Sequence, residues 1–295
     1  MACQTDKPNK LRGENMSIKI IVDSTADLTK EVKSRVEVVP LTLRFGDEEF
    51  VDGVTIDHKM FYEKLIESDV VPTTSQAAPM AFVPYFDKVK ENGDAAVVIT
   101  LSSKLSGTYQ SATIAAEDYS DIYVVDSMST TIGQGILVEY ALSCVDKGMS
   151  AKEIADELSS IKERLIVVAL LDTLEYLKKG GRISAAVAFA GGVLNIKPVV
   201  AIDKGEIVML GKARGSKQAN NLLVQEIEKA GGVDFDLPVL LGYTGLSDAL
   251  LQKYIEDSKA LWSHAKSELN VSPIGAIIGT HAGPGAVAVA FFKKN

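Results

Sequence analysis

Short runs of aliphatic and β-branched residues recur in the first half of this chain, each followed by a helical pattern. That rhythm limits the possible folds more than any other feature. IKIIVDS (18–24), DAAVVITLS (94–102) and DIYVVDS (121–127) are apolar without alternation, as strands buried on both faces of a parallel sheet are. Helical stretches follow at 28–35, 107–119 and 136–145. Amphipathic stretches at 56–68, with Met60, Phe61, Leu65 and Ile66 apolar, and at 79–92, with Pro79 near the start, add two more helices. VEVVPLTLRF (36–45) reads as a strand that its proline breaks or confines to an edge. The alternation predicts a doubly wound, mainly parallel sheet with helices on both faces.

After the helix expected at 151–165 the rhythm changes. A strand at 166–171 and a helix at 172–183 ending at a double glycine come first. A β-hairpin over 197–214 with Gly205 in its turn, a helix at 216–232, a strand at 238–245 and a helix from Asp248 follow. The segment 271–292 is long and uncharged, but Pro273, Pro284, His281 and its glycines argue against a membrane span. Two buried strands around a Gly-rich turn are expected there instead. The chain therefore reads as α/β with two domains, an N-terminal one over 18–160 and a C-terminal one over 161–295 with a mixed sheet. The boundary falls between Met149 and Ile166. Residues 1–17 have no apolar core of a signal peptide and are expected to be a disordered tail, or sequence ahead of a start at Met16.

Composition removes several functional classes. A net charge of −8 and a pI near 5.1 disfavour broad nucleic-acid binding and adhesion to an anionic membrane. Cys3 and Cys144 form no disulfide framework, which fits a reducing cytoplasm, and three histidines in no ligand-like spacing leave no zinc site. His58 and His264 fall on helical faces expected to be exposed. No dinucleotide fingerprint, phosphate-binding loop, metalloprotease motif or nucleophile elbow is present.

Four polar stretches remain. PTTSQ (72–76) carries Thr74. LSSKLSGTYQSA (101–112) carries Ser106 and Gly107 at a helix start, where free N–H groups favour an anion. KKGGRISAA (178–186) brings Arg182 beside two glycines, and GTHAGPGA (279–286) holds His281. Each has an ordinary structural explanation: a turn, an N-cap at Ser106, a helix stop, a core histidine. IVDST (21–25) and VVDSMST (124–130) both place Asp-Ser at a strand end, which includes Ser24; capping explains each equally well. Together the stretches supply neutral donors, one guanidinium and one imidazole, the profile of a site for one anionic group. The small residues of 183–200 are core, or space for a long apolar ligand.

Taken in order, VDST, TSQ, SSKLSGTYQSA, KGGRIS and THAGPGA resemble the landmarks of the DegV family of bacterial lipid-binding proteins, from about Ile18 to the C-terminus. The resemblance implies a two-domain α/β protein, with no cofactor and no catalysis, that encloses one long-chain fatty acid such as palmitate, stearate or oleate between its domains. It implies Thr74 and Ser106 as carboxylate ligands, with Arg182, His281, Ser24 and Gly107 as the supporting network. It implies a fatty-acid kinase partner that converts the carboxylate to an acyl-phosphate for phospholipid synthesis, with Arg214 as a docking position. Thr280 departs from the alanine expected before the histidine, a local packing change. The competing reading is a hydrolase or transferase on a small acyl or phosphorylated substrate, with Ser106 as nucleophile and His281 as base, which lacks a third group to orient the histidine.

Overall fold

The computed structural model describes residues 17–183 and 196–294. Part of the segment 183–200, read above as core or ligand space, therefore lies outside the described residues. Four strands form a wholly parallel sheet in the order β2-β1-β6-β7: β1 (Ile18–Asp23), β2 (Glu37–Val39), β6 (Ala95–Thr100) and β7 (Ile122–Asp126). The apolar runs that predicted them are its buried centre; every residue of β6 is buried. The order reverses between β1 and β6, so the loops beyond their carboxyl ends flank the crevice where such sheets take ligands.

Pro40 has no N–H to give a ladder, and the chain leaves the first sheet there. The residues beyond it pair elsewhere. β3 (Thr42–Phe45) lies between β4 (Glu48–Val51) and β5 (Thr73–Ser75) in a small antiparallel sheet that the sequence patterns did not reveal. Thr74 is thus on a strand, opposite Leu43.

The third sheet is mixed and six-stranded, in the order β10-β9-β8-β13-β11-β12. Its strands are β8 (Leu165–Leu170), β9 (Ile196–Asp203), β10 (Glu206–Arg214), β11 (Leu240–Tyr243), β12 (Asn270–Pro273) and β13 (Val287–Phe292). Only β11 and β12 run parallel. The β9–β10 hairpin turns at Lys204 and Gly205, both at positive φ, as a tight two-residue turn requires.

Helices α1 (Lys30–Lys33), α2 (His58–Glu67), α3 (Pro79–Asn92), α4 (Thr108–Ala116), α5 (Thr131–Asp146) and α6 (Ala151–Ile161) belong to the first half of the chain. α6 starts at a capping box between Ser150 and Glu153 and lies on β6 and β7. α5 is buried on nearly every side and packs on both large sheets, against β1 and β6 and against β8, β11 and β13. In the second half, α7 (Glu175–Lys179), α8 (Ser216–Lys229), α9 (Ala249–Asp257), α10 (Lys259–Trp262) and α11 (Ala276–Ala282) follow. No helix among the described residues is long and apolar enough to cross a membrane.

Three expectations need correction. Residues 271–292 are not two strands around a turn: α11 lies between β12 and β13, so His281 is on a helix. Its residue Gly279 is pressed by Tyr62 and Phe61, which leave no room for a Cβ. On α2 the inward residues are Phe61, Tyr62 and Leu65, while Met60 and Ile66 are exposed. Docking onto α11 turns the aromatic pair inward. His58, expected to be exposed, is half-buried against Tyr62 of its own helix and Tyr243 of β11, and burial lowers its pKa. His264 is exposed, as expected.

Candidate functional site

A cavity lies between the sheets, where ligand sites of such folds occur. Its walls are aliphatic. β8 contributes Val167 and Ala169, β9 contributes Val200 and Ile202, and β10 contributes Ile207. Leu101 and Leu105 line it from the loop after β6, and Leu41 from the residues after Pro40. Ile274 stands just ahead of α11, and Ile277, Ile278 and His281 lie along that helix.

Thr74, Gln76, Ser106, Arg182 and His281 form one polar patch in this wall. Thr74 Oγ1 lies 3.0 Å from His281 Nε2. Arg182 donates through Nε to Leu105 O at 3.2 Å and through Nη1 to Gly180 O at 2.7 Å. These bonds tie the guanidinium to the loop that carries Ser106 and to the end of α7. Gln76 reaches over Gly107, where a Cβ would lie 2.8 Å from the amide carbon, and donates to Ser111 Oγ at 3.0 Å. Burial, and next the Arg182 charge, lower His281 to about 4. It is therefore neutral at physiological pH, and Arg182 is the cation of the patch.

Ser106 does not cap α4 in the expected way. Gly107 holds the cap position, while Ser106 Oγ accepts from Thr108 N at 3.3 Å and shares a 3.0 Å bond with Thr108 Oγ1. Ser24 is outside the cavity lining. Its Oγ accepts from the amide of Leu41 at 3.1 Å and bonds the Asp52 carboxylate, so it stands behind the wall. Arg214 is exposed at the opposite end of β10 from Ile207, roughly 23 Å along the strand. The two Asp-Ser echoes act as loop ties. Asp23 accepts from the amides of Thr25 and Leu101, and Asp126 from those of Ser103 and Met128.

Sequence reasoning passed over Asp27. It is buried, and accepts from Gly275 N at 2.7 Å and from Thr131 Oγ1 at 2.6 Å. It thereby joins the approach to α11 to the first residue of α5, and Thr131 itself lines the cavity. Burial raises Asp27 to about 7, with the nearby Asp52 adding to the rise, and burial raises Asp52 to about 6. Thr131 has φ +52°, a strained region for a β-branched residue, and its carbonyl accepts from Asp27 N at 3.3 Å. The signal in the sequence was slight: an aspartate among hydroxyls after a strand resembles any cap.

Residues 17–294 match the family model described as the DegV family. The chain belongs to the DegV family. A DegV domain-containing protein of Caldanaerobacter subterraneus is 35% identical over 286 residues, covering 94% of this chain and 99% of the relative. A DegV family protein of Thermus thermophilus, whose structure is described as showing fatty acid binding, matches with a TM-score of 0.83 and 30% identity. That match covers 94% of this chain and all of the other. A stearic acid-binding protein of Eubacterium ventriosum matches with a TM-score of 0.83 at 27% identity, over 94% of this chain and 98% of its own. The polar patch therefore sits within a DegV fold, and its stretches lie in the region that the family model spans.

Proposed function

We propose that this DegV protein binds one long-chain fatty acid without transforming it, between its halves 18–160 and 161–295. Its tail lies in the aliphatic cavity and its carboxylate at Thr74 and Ser106, with Arg182 and His281 in support. The observation that carries this reading is the gathering of hydroxyl donors and a guanidinium in one patch of a mainly aliphatic cavity. A carboxylate brought out of water without partners is costly, and this patch offers donors and one positive charge. A tail of ~15 methylenes at ~0.8 kcal/mol each contributes roughly 12 kcal/mol before the costs of association. The fatty-acid binding described for the Thermus and Eubacterium proteins supports the same reading.

The finer part of the proposal is that the protein works in the cytoplasm and presents the carboxylate to a fatty-acid kinase, whose acyl-phosphate product feeds phospholipid synthesis. Gln76 and Ser75, exposed beside the patch, support access from outside. A nucleophilic Ser106 is less well supported. Its hydroxyl is engaged with Thr108, and His281 Nε2 is engaged with Thr74, so the imidazole is not placed on the serine.

Native mass spectrometry of the purified protein tests the binding reading. A bound mass equal to a C14–C18 fatty acid is expected. No such mass, together with no gain in thermal stability on adding oleate or palmitate, refutes it. ATP-dependent acyl-phosphate formation on the loaded protein with an added kinase tests the hand-off.

A further inference from the structure

The double glycine that ends α7 contains one residue with a backbone task and one without. Gly181, at φ +68°, takes the left-handed position of a Schellman stop. Its amide donates to Lys178 O at 3.1 Å, and the amide of Arg182 donates to Leu177 O at 3.1 Å. Gly180 lies in ordinary right-handed helical geometry, φ −75° and ψ −7°, which any residue adopts. Its backbone gives no reason for a glycine. Its neighbour does: a Cβ built on Gly180 would overlap His281 Nδ1 and lie 2.7 Å from Cε1.

The imidazole is thus backed on one edge by a bare Cα and bonded on the other to Thr74. Nδ1 is shielded from solvent and has no hydrogen-bond partner among the described residues. A buried N–H without a partner is rarer and costlier than a bare lone pair. The proton therefore belongs on Nε2, where Thr74 Oγ1 accepts it at 3.0 Å. Thr74, having accepted, turns its own hydroxyl proton elsewhere, and the cavity lies in front of it.

We propose that Gly180 is a positioning residue. By leaving its Cβ space to His281, it fixes the neutral Nε2–H tautomer and so makes the Thr74 hydroxyl a donor into the cavity. The anion that this donor meets rests on the fatty-acid reading above; the tautomer and the role of Gly180 do not. The relay also defines the head group. It favours a charged, acceptor-only carboxylate, both of whose oxygens can take donors, over a primary amide of the same chain, whose oxygen can accept but whose NH₂ cannot.

The test has two independent arms. In ¹⁵N-histidine-labelled protein, NMR at pH 7 should show His281 as the neutral Nε2–H form; a Nδ1–H form or an imidazolium overturns the proposal. Gly180→Ala should leave the fold intact, because alanine suits a helix better than glycine. It should shift the His281 ring signals and weaken oleate binding by about tenfold, the worth of one hydrogen bond. In a His281→Ala background the same substitution should make no further difference, because the space it invades is already empty. Unchanged ring signals and wild-type oleate affinity in Gly180→Ala overturn the proposal, as does a full additional loss in the His281→Ala background. If oleate binds neither protein, the fatty-acid reading fails, and the NMR arm still decides the tautomer.

Discussion

Replacing Asp27 with asparagine removes a carboxylate that two neutral donors hold in a dry site. Burial raises its pKa from 3.8 to about 7. A carboxyl group raised in this way binds its proton more tightly in the folded chain than in the unfolded one. Its contribution to stability is full below about pH 4 and is lost as pH rises towards 7. The interval from 3.8 to about 7, at ~1.36 kcal/mol per unit, amounts to ~4 kcal/mol. Asparagine keeps one oxygen for Gly275 or Thr131 and forfeits about one hydrogen bond, ~1 kcal/mol. Asp27→Asn should therefore be less stable than wild type by ~1 kcal/mol below pH 4 and more stable by ~3 kcal/mol above pH 7. The two stability curves should cross between about pH 4 and 5. Urea denaturation at pH 4, 5.5, 7 and 8 reads the difference directly. The lowered His281 works in the opposite sense, adding stability as pH rises from about 4 to 6.5. It is common to both proteins and cancels in the difference. A difference that does not change with pH, or that favours wild type above pH 7, refutes the reasoning.

Arg182→Leu removes the cation of the patch and should weaken oleate binding by about 10- to 100-fold, the worth of a charged hydrogen bond. Displacement of a fluorescent fatty acid measures it, and wild-type affinity would show that the head group lies elsewhere. Thr74→Val keeps the shape of the side chain and should cost about tenfold in the same assay, with little change in thermal stability. Ala169→Leu extends a side chain into the cavity from β8. It should shift preference from C18 towards C14 chains by about tenfold or more, as tail methylenes worth ~0.8 kcal/mol each lose their place; an unchanged ratio of affinities would place the tail away from β8.

The strands that read as continuous apolar runs were legible because burial on both faces leaves no other composition for them. The β9–β10 hairpin was legible because Lys-Gly marks its turn. β5 was not, since Thr73–Ser75 is too short to show a period and owes its conformation to pairing with the distant β3. α11 was missed for a related reason. AIIGTHA between glycines looks apolar enough for a strand, and only the arrival of Phe61 and Tyr62 explains Gly279. In the polar patch, Thr74, Ser106, Arg182 and His281 each had an ordinary explanation; for Ser106 the cap itself falls to Gly107, although its hydroxyl still bonds Thr108 at the start of α4. Their joint meaning came from the order of the motifs. The distance between Thr74 and His281, 207 residues apart in the chain, could not be read from any one of them.

α5 also bears on how the two halves can be separated. Two glycines let it serve both: Gly133 gives way to Val167 of β8, and Gly135 to the backbone of Asp27 beyond β1. It is a party wall, built once and leaned on from both sides. A nick at the exposed Lys147–Gly148 link would cut the chain without releasing either half, because each would keep α5 as its own inner surface. Neither sheet could be borrowed by another protein without bringing the wall along.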